Sequence, residues 1–282
     1  MEFRNAPTGA PDLAEQEIAL PLTGFDEDEL QELLAAQSGP GLADTDEAPA
    51  IEQNVISQLG DIWELGRHRL LCADSTDSEN LQRVLSGDTC DLVLTDLPYN
   101  VDYAGKNPRR QKILNDDLGD EFDRFLGAAC RSIVGVSTGP IYMCMSSGEL
   151  HTLYSNFQKA EGVWSTYIIW SKHLFTLGRS DYQRQYEPIL YGWPQGGKHY
   201  RCGARDQGDV WYVKKPRVND LHPTMKPVAL VERAIGNSSR PSSVVLDPFA
   251  GSGTTAIACE RTGRKARLVE LDPRYADVAV RR

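Results

Sequence analysis

No run of about 18 or more apolar residues occurs in the sequence, so no transmembrane helix is expected. The start, Met1-Glu2-Phe3-Arg4, lacks the basic-then-apolar pattern of a secretory signal, and a cytoplasmic location is expected. Cysteine is sparse, with six residues at 72, 90, 130, 144, 202 and 259 and no C-x-x-C pair. That argues against a disulfide framework or a dithiol redox motif and leaves six small, packed thiols. The five histidines show no ligand spacing, so no metal site is expected. No internal repeat is visible. What remains is an ordinary globular composition, 40% hydrophobic and 25% charged over 282 residues, enough for a substantial core.

The net charge of -10 is unevenly spread. Residues 1–60 hold thirteen Asp/Glu and one Arg, so the remainder, 29 basic against 27 acidic, is +2. Between Trp170 and Lys226 there are ten Lys/Arg and five Asp/Glu, a local basic excess that permits phosphate contacts without demanding them.

Residues 1–58 are rich in Pro, Gly, Ala and acids and read as a largely flexible acidic tail or linker. Within it, Asp26 to Leu34 reads as one short helix with acids at its dipole-favoured start. From about residue 59 short apolar runs alternate with helical stretches. Strands are expected at 69–72, 92–94, 141–145, 167–170, 188–191, 244–246 and 266–269. Helices are expected at 79–85, 122–134, 228–235 and 255–261, with another after Asp272-Pro273. This order predicts an α/β fold, a mostly parallel twisted sheet with helices on both faces. The irregular stretch at about 192–219 reads as an inserted recognition segment.

One local signature is Val244-Val245-Leu246-Asp247-Pro248-Phe249-Ala250-Gly251-Ser252-Gly253-Thr254-Thr255, a buried strand turning through glycines into a helix. Such a turn lets backbone approach a ligand at the carboxyl end of a strand. The next strand ends at Glu270, 23 positions after Asp247, placed to accept from a ribose diol. Gly251 to Ala256 also fits G-x-G-x-x-A, so a dinucleotide cofactor stays open, as does a turn that merely packs. Asp247 beside the turn repels a pyrophosphate and suits an ammonium.

A second signature is the strand Asp91 to Thr95 followed by Asp96-Leu97-Pro98-Tyr99-Asn100. An enzyme that modifies a duplex base must flip it into a pocket. That pocket needs acceptors for an exocyclic amine, here the Asp96 carboxylate and the Leu97 carbonyl, and an aromatic plate, here Tyr99. A plain strand-to-loop turn accounts for the same residues equally well.

These residues resemble the β-group of DNA amino-methyltransferases, in which the catalytic motif precedes the cofactor motif in a circularly permuted chain. Asp96-Leu97-Pro98-Tyr99 is similar to the family's D-P-P-Y. Asp247-Pro248-Phe249-Ala250-Gly251-Ser252-Gly253 is similar to D-P-F-x-G-S-G, and His222-Pro223-Thr224-Met225-Lys226-Pro227 between them to H-P-T-x-K-P. The resemblance covers roughly residues 60–282. It implies a Rossmann-like methyltransferase fold, S-adenosyl-L-methionine as cofactor, and double-stranded DNA as partner. It also implies Asp96, Leu97, Pro98 and Tyr99 as the catalytic loop. Thr224 and Lys226 would hold the methionine end of the cofactor, Phe249 would line the site, Glu270 would bind the ribose and Asp74 would approach the adenine ring. Asp247, Pro248, Gly251, Gly253 and Thr254 complete the candidate cofactor set.

Leu97 departs from the family pattern. It keeps the carbonyl but loses the ring that fixes φ, so a somewhat looser loop is expected, with Pro98 biasing it to an extended form. Asp rather than Ser at 96 resembles the N6-adenine branch more than the N4-cytosine branch. Lys106, Arg109, Arg110, Lys198, Arg201 and Arg205 are candidate DNA contacts, each equally readable as an exposed basic residue. The short insert favours a short site or a homodimer sharing recognition. Residues 1–58 resemble the linker after a ParB-like domain in prophage-type methylases, which implies an upstream partner domain and a bacterial or phage-infected cell. Two other readings stand: a nicotinamide-dependent oxidoreductase, and an inactive DNA-binding methylase relative.

Overall fold

Residue spacing along the apolar runs decides the architecture. Leu70, Leu92, Leu94, Val245 and Leu268 enter one hydrophobic cluster, while their strand neighbours Leu71, Val93, Leu246 and Val269 enter another. Successive side chains of a strand point to opposite faces, so strands that are apolar at every position must be covered on both.

A computed structural model describes residues 46, 48–101, 114, 117–176, 181–197, 199–202, 206–214 and 225–282, all within the unit Gly39–Arg282. The strands are β1 (Ile62–Leu65), β2 (His68–Cys72), β3 (Leu92–Asp96), β4 (Ile141–Cys144), β5 (Gly162–Thr176), β6 (Arg184–Pro194), β7 (Val210–Tyr212), β8 (Val244–Asp247) and β9 (Lys265–Glu270). The helices are α1 (Ser78–Leu85), α2 (Phe122–Val136), α3 (Leu150–Lys159), α4 (Val228–Ser238), α5 (Thr254–Arg261) and α6 (Pro273–Arg281). Among the described residues none of these helices is long and apolar enough to cross a membrane.

The sheet runs β1-β2-β9-β8-β3-β4-β6-β5-β7. Strands β2, β9, β8, β3 and β4 are mutually parallel, and β1 and the β5–β6 pair add antiparallel edges. One face is covered by α4, α5 and α6, through Val231, Ile257 and Ala276, and the other by α1, α2 and α3, through Leu81, Ile133 and Phe157. This is the α/β arrangement expected from the alternating pattern.

The order of successive strands reverses between the parallel neighbours β3 and β8, with Leu92 opposite Val245. From β3 the chain passes through α2 to β4 on one side, and from β8 through α5 to β9 on the other. Such a switch point opens a crevice at the carboxyl ends of the strands. Here those ends are Asp96 and Asp247.

Several elements differ from expectation. β1, α3 and β7 were not anticipated, and the segment at 192–219 holds more regular structure than its Gly, Pro and Trp content implies. β6 continues to Pro194, and Val210–Tyr212 forms β7, parallel to β5. Trp211 explains β7: it is buried against Tyr142 while its neighbours Val210 and Tyr212 stay exposed. Three residues with one buried are too short a pattern to read as a strand. Asp46 and residues 48–58, in the stretch read as linker, make defined contacts. Asp277 accepts from the backbone N–H of Ile56 (2.7 Å) and of Ser57 (2.9 Å), and the Asp46 carboxylate accepts from Val228 N (2.7 Å). The helix expected at Asp26–Leu34 lies outside the described residues.

Candidate active site

Burial of Thr95 within β3, and of Leu97 just beyond it, pins the loop that follows the strand. Leu97 is only 2% exposed and packs in the cluster beneath α1–α3, so the loop is held by an apolar anchor where a proline ring would have restrained it. The looseness expected at Leu97 is therefore offset by packing. At the far end of the loop Asn100 takes φ +56°, a conformation Asn tolerates better than most residues. Its side-chain oxygen accepts from Leu118 N and Gly119 N, each at 3.0 Å.

Asp96, Tyr99 and Lys226 meet at one point. Lys226 Nζ lies 2.5 Å from Asp96 Oδ2 and 3.0 Å from the Tyr99 hydroxyl, which itself donates to Asp96 Oδ1 at 2.8 Å. Glu187 of β6 joins them: its Oε1 lies 2.7 Å from Lys226 Nζ and accepts from Tyr99, and its Oε2 accepts from Lys172 at 2.7 Å. Two carboxylates and two ammonium groups thus balance within one pocket. Lys226, given by resemblance to the methionine end of a cofactor, is brought here to the Asp96 carboxylate.

The electrostatics follow from that packing. Burial raises the Asp96 pKa, and the Lys226 charge opposes the rise. The Asp96 side chain remains 28% exposed toward the cavity. Burial also pushes Glu187 upward, but Lys226 and Lys172 outweigh it and bring that carboxyl to about 2. Burial disfavours the Lys226 charge, yet Asp96 and Glu187 more than compensate and its pKa rises. Tyr99 is held neutral by burial and by the two carboxylates it donates to.

The adjacent half of the cavity is formed by the turn after β8. Asp247 is buried and accepts from the Thr95 hydroxyl (3.0 Å), Phe249 N (3.2 Å) and the Thr255 hydroxyl (2.5 Å). Burial, only partly offset by these donors, raises it to about 6. Glu270 at the end of β9 accepts from Gly251 N (2.7 Å) and Asp272 N (2.8 Å), and burial raises it to about 7. Both acids would be relieved of desolvation by a cationic or hydroxyl-rich ligand.

A cavity of about 490 Å³ joins the two halves. Its walls include all four residues Asp96, Leu97, Pro98 and Tyr99, together with Lys226, Asp247, Phe249, Gly251, Thr254, Glu270 and Asp74. Asp74 also accepts from Thr76 N (2.9 Å) and the Thr76 hydroxyl (2.8 Å), so it serves a turn as well as the wall. Pro248 and Gly253 do not line the cavity. The Pro248 carbonyl accepts from Ser75, and Gly253, at φ +80°, abuts α6, where a Cβ would lie 3.0 Å from Ala279 Cβ. Arg201 is exposed, and Lys106, Arg109, Arg110, Lys198, Arg205 and Thr224 lie outside the described residues.

Sequence reasoning missed Glu187, Lys172 and Trp170. Glu187 stands in Tyr186-Glu187-Pro188, just ahead of an apolar run, and its one signal is a charge followed by β-strand residues. Its partners Lys172, Lys226 and Tyr99 are 15, 39 and 88 positions away, so no local spacing could pair them.

A crevice at the switch point is lined by an Asp-Leu-Pro-Tyr loop on one strand and a glycine turn on its neighbour, where open α/β sheets bind ligands. The chain belongs to the N6/N4 DNA methylase family, whose model matches residues 90–281. It is 26% identical over 234 residues to the type II methyltransferase M.HinfI of Haemophilus influenzae, covering 71% of this chain and 64% of that protein's length. It is 28% identical over 244 residues to the type II methyltransferase M.HpaI of Haemophilus parainfluenzae, covering 76% of this chain and 73% of that one. The crystal structure of M1.HpyAVI in complex with SAM shares the fold, with a TM-score of 0.57 and 21% identity over 75% of this chain and 98% of that one.

Proposed function

We propose that this chain transfers a methyl group from S-adenosylmethionine to the exocyclic N6 of an adenine flipped out of double-stranded DNA. One observation carries the reading: Asp96 and Tyr99 leave β3, and Asp247 leaves the neighbouring β8, into the same cavity. When bound, S-adenosylmethionine supplies a methyl carbon on a sulfonium, and the carbon–sulfur electron pair passes to sulfur as the amine takes the methyl group.

The residues of this chain fit both ligands. Glu270 is oriented by two backbone donors and keeps lone pairs for a ribose diol. Asp247 offers a buried negative charge to the ammonium of the methionine part. Phe249 and Tyr275 give the cavity flat apolar walls. An exocyclic amine is a weak nucleophile because its lone pair is delocalised into the ring. Asp96 and the Leu97 carbonyl accept its N–H bonds and turn the lone pair toward the methyl carbon, a matter of orientation and prearranged charge. The proton shed by the alkylated nitrogen passes to Asp96, whose pKa is raised, and leaves by its cavity-exposed side. Lys226 and Tyr99 hold the carboxylate in place meanwhile.

The motif order, catalytic loop before cofactor turn, supports assignment to the permuted β-group. Aspartate at position 96 favours adenine over cytosine. Expression in methylation-free bacteria, followed by single-molecule sequencing, tests the proposal. Methyladenine at one short sequence is the expected result. Methylcytosine would overturn the base assignment, and unmodified DNA from cells rich in folded protein would overturn the activity.

A further inference from the structure

Beyond Ser171 on β5 and Tyr186 on β6 the nine-stranded sheet narrows to two strands. β4 ends at Cys144, opposite Ile189, and β7 ends at Tyr212, opposite Ser171. Among the described residues, β5 and β6 continue past this point as a two-stranded extension, Lys172–Phe175 bulging opposite Gln185 before the Thr176–Arg184 pair. Leu174 (65% exposed), Phe175 (56%) and Tyr182 (91%) crowd its outer end. A two-stranded ribbon gains little stability alone in water, so these three bulky residues are not there to hold it together. Clustered exposed apolar side chains mark a contact surface.

Two further observations narrow the partner. Arg184, exposed and on the cavity wall, offers a cation to a polyanion, while Lys172 is held by Glu187 and Asp181 adds an opposing charge. The base of the ribbon also opens into the active-site cavity, since Lys172, Arg184, Tyr186 and Glu187 share its wall with Asp96 and Tyr99.

We propose that this ribbon enters the DNA groove beside the target base, and that Phe175 and Tyr182 fill the gap in the stack left when that base flips. The proposal rests on the reading of the site as a DNA base methylase. A two-stranded ribbon fits the major groove. Extruding a base breaks its stacking on both neighbours, and inserted apolar side chains offset that loss. Rigid aromatic rings do so with few rotamers to freeze. Carrying the wedge and the wall of the receiving pocket on one ribbon couples extrusion to capture.

The test uses the full chain and the site mapped by sequencing, built into two synthetic duplexes. In one the target is normally paired; in the other it faces an abasic position and is already loosened. The variant Phe175→Ala/Tyr182→Ala is expected to transfer methyl to the paired duplex about tenfold more slowly or worse, while staying within about threefold of the parent on the loosened duplex. Its S-adenosylmethionine affinity by calorimetry stays unchanged, and Phe175→Leu/Tyr182→Phe transfers at close to the parental rate on both. Parental rates on the paired duplex would overturn the proposal. So would equal slowing on both duplexes, or a change of oligomeric state with methylation intact, which would assign the ribbon to a protein contact. If the parent methylates no DNA at all, the reading of the site fails, and the wedge fails with it.

Discussion

Lys226 sits between Asp96 and Glu187, and Glu187 is shared with Lys172, so each charge in the pocket depends on the others. Removing one partner of a buried ion pair leaves a charge without compensation, which is worse than never having had the pair. Asp96→Ala is expected to abolish methyl transfer, measured with labelled cofactor, and to weaken folding because Lys226 and Tyr99 lose one of their two carboxylate partners and keep only Glu187. Glu187→Gln gives a finer test. The Glu187 charge helps raise the Asp96 pKa, so its neutralisation lowers that pKa. The acidic limb of the kcat–pH profile then moves to lower pH, because Asp96 stays ionised further into acid. A limb that does not move would show that Glu187 has no electrostatic hold on Asp96.

At the scale of elements, the glycine turn divides its labour. Gly251 faces the cavity and donates to Glu270, whereas Gly253 lets α5 begin against α6 at a positive φ. Gly253→Ala adds strain at φ +80° and a close contact with Ala279, so a loss of about 1–3 kcal/mol is expected in urea unfolding. Cofactor affinity of the folded fraction should change little. The loop after β3 depends on Leu97 in a comparable way. Leu97→Ala removes a side chain that is 2% exposed and should cost roughly 2–5 kcal/mol. Leu97→Pro restores a fixed φ but empties the same space, so activity persists while the melting temperature falls.

For the molecule as a whole, two buried acids set the pH response. Asp247 and Glu270 are raised to about 6 and about 7, above the values near 4 that such groups have in an unfolded chain. Between those limits these two groups hold more protons in the folded protein than in the unfolded one, so their contribution to stability falls as pH rises, against a smaller opposing one from buried His68, whose pKa burial lowers. The melting temperature of the protein without cofactor is expected to decline from about pH 5 to pH 8. A cofactor with an ammonium and a diol prefers both acids ionised, so its affinity, and the melting shift it produces, should grow over the same interval. Calorimetry at several pH values measures both; a cofactor affinity that is flat with pH would detach these two carboxylates from binding.

Local chemistry alone determined much of this protein. Apolar runs covered on both faces required a parallel α/β sheet, and two short strand-to-turn motifs marked the loop after β3 and the glycine turn after β8, their roles coming only from the family resemblance. These were legible because each lies within a dozen residues, where periodicity, glycine and proline act directly. Tertiary structure decided the rest. β7 exists because Trp211 finds a buried place beside Tyr142, and the stretch before β1 is tied down because Asp277 receives its backbone. Lys226 reaches Asp96 across 130 positions, and Glu187 reaches Tyr99 across 88. Sequence distance holds no record of such meetings. They arise where β3 and β8 end side by side and β6, one strand beyond β4, begins, and there burial makes an unpaired charge too costly to keep.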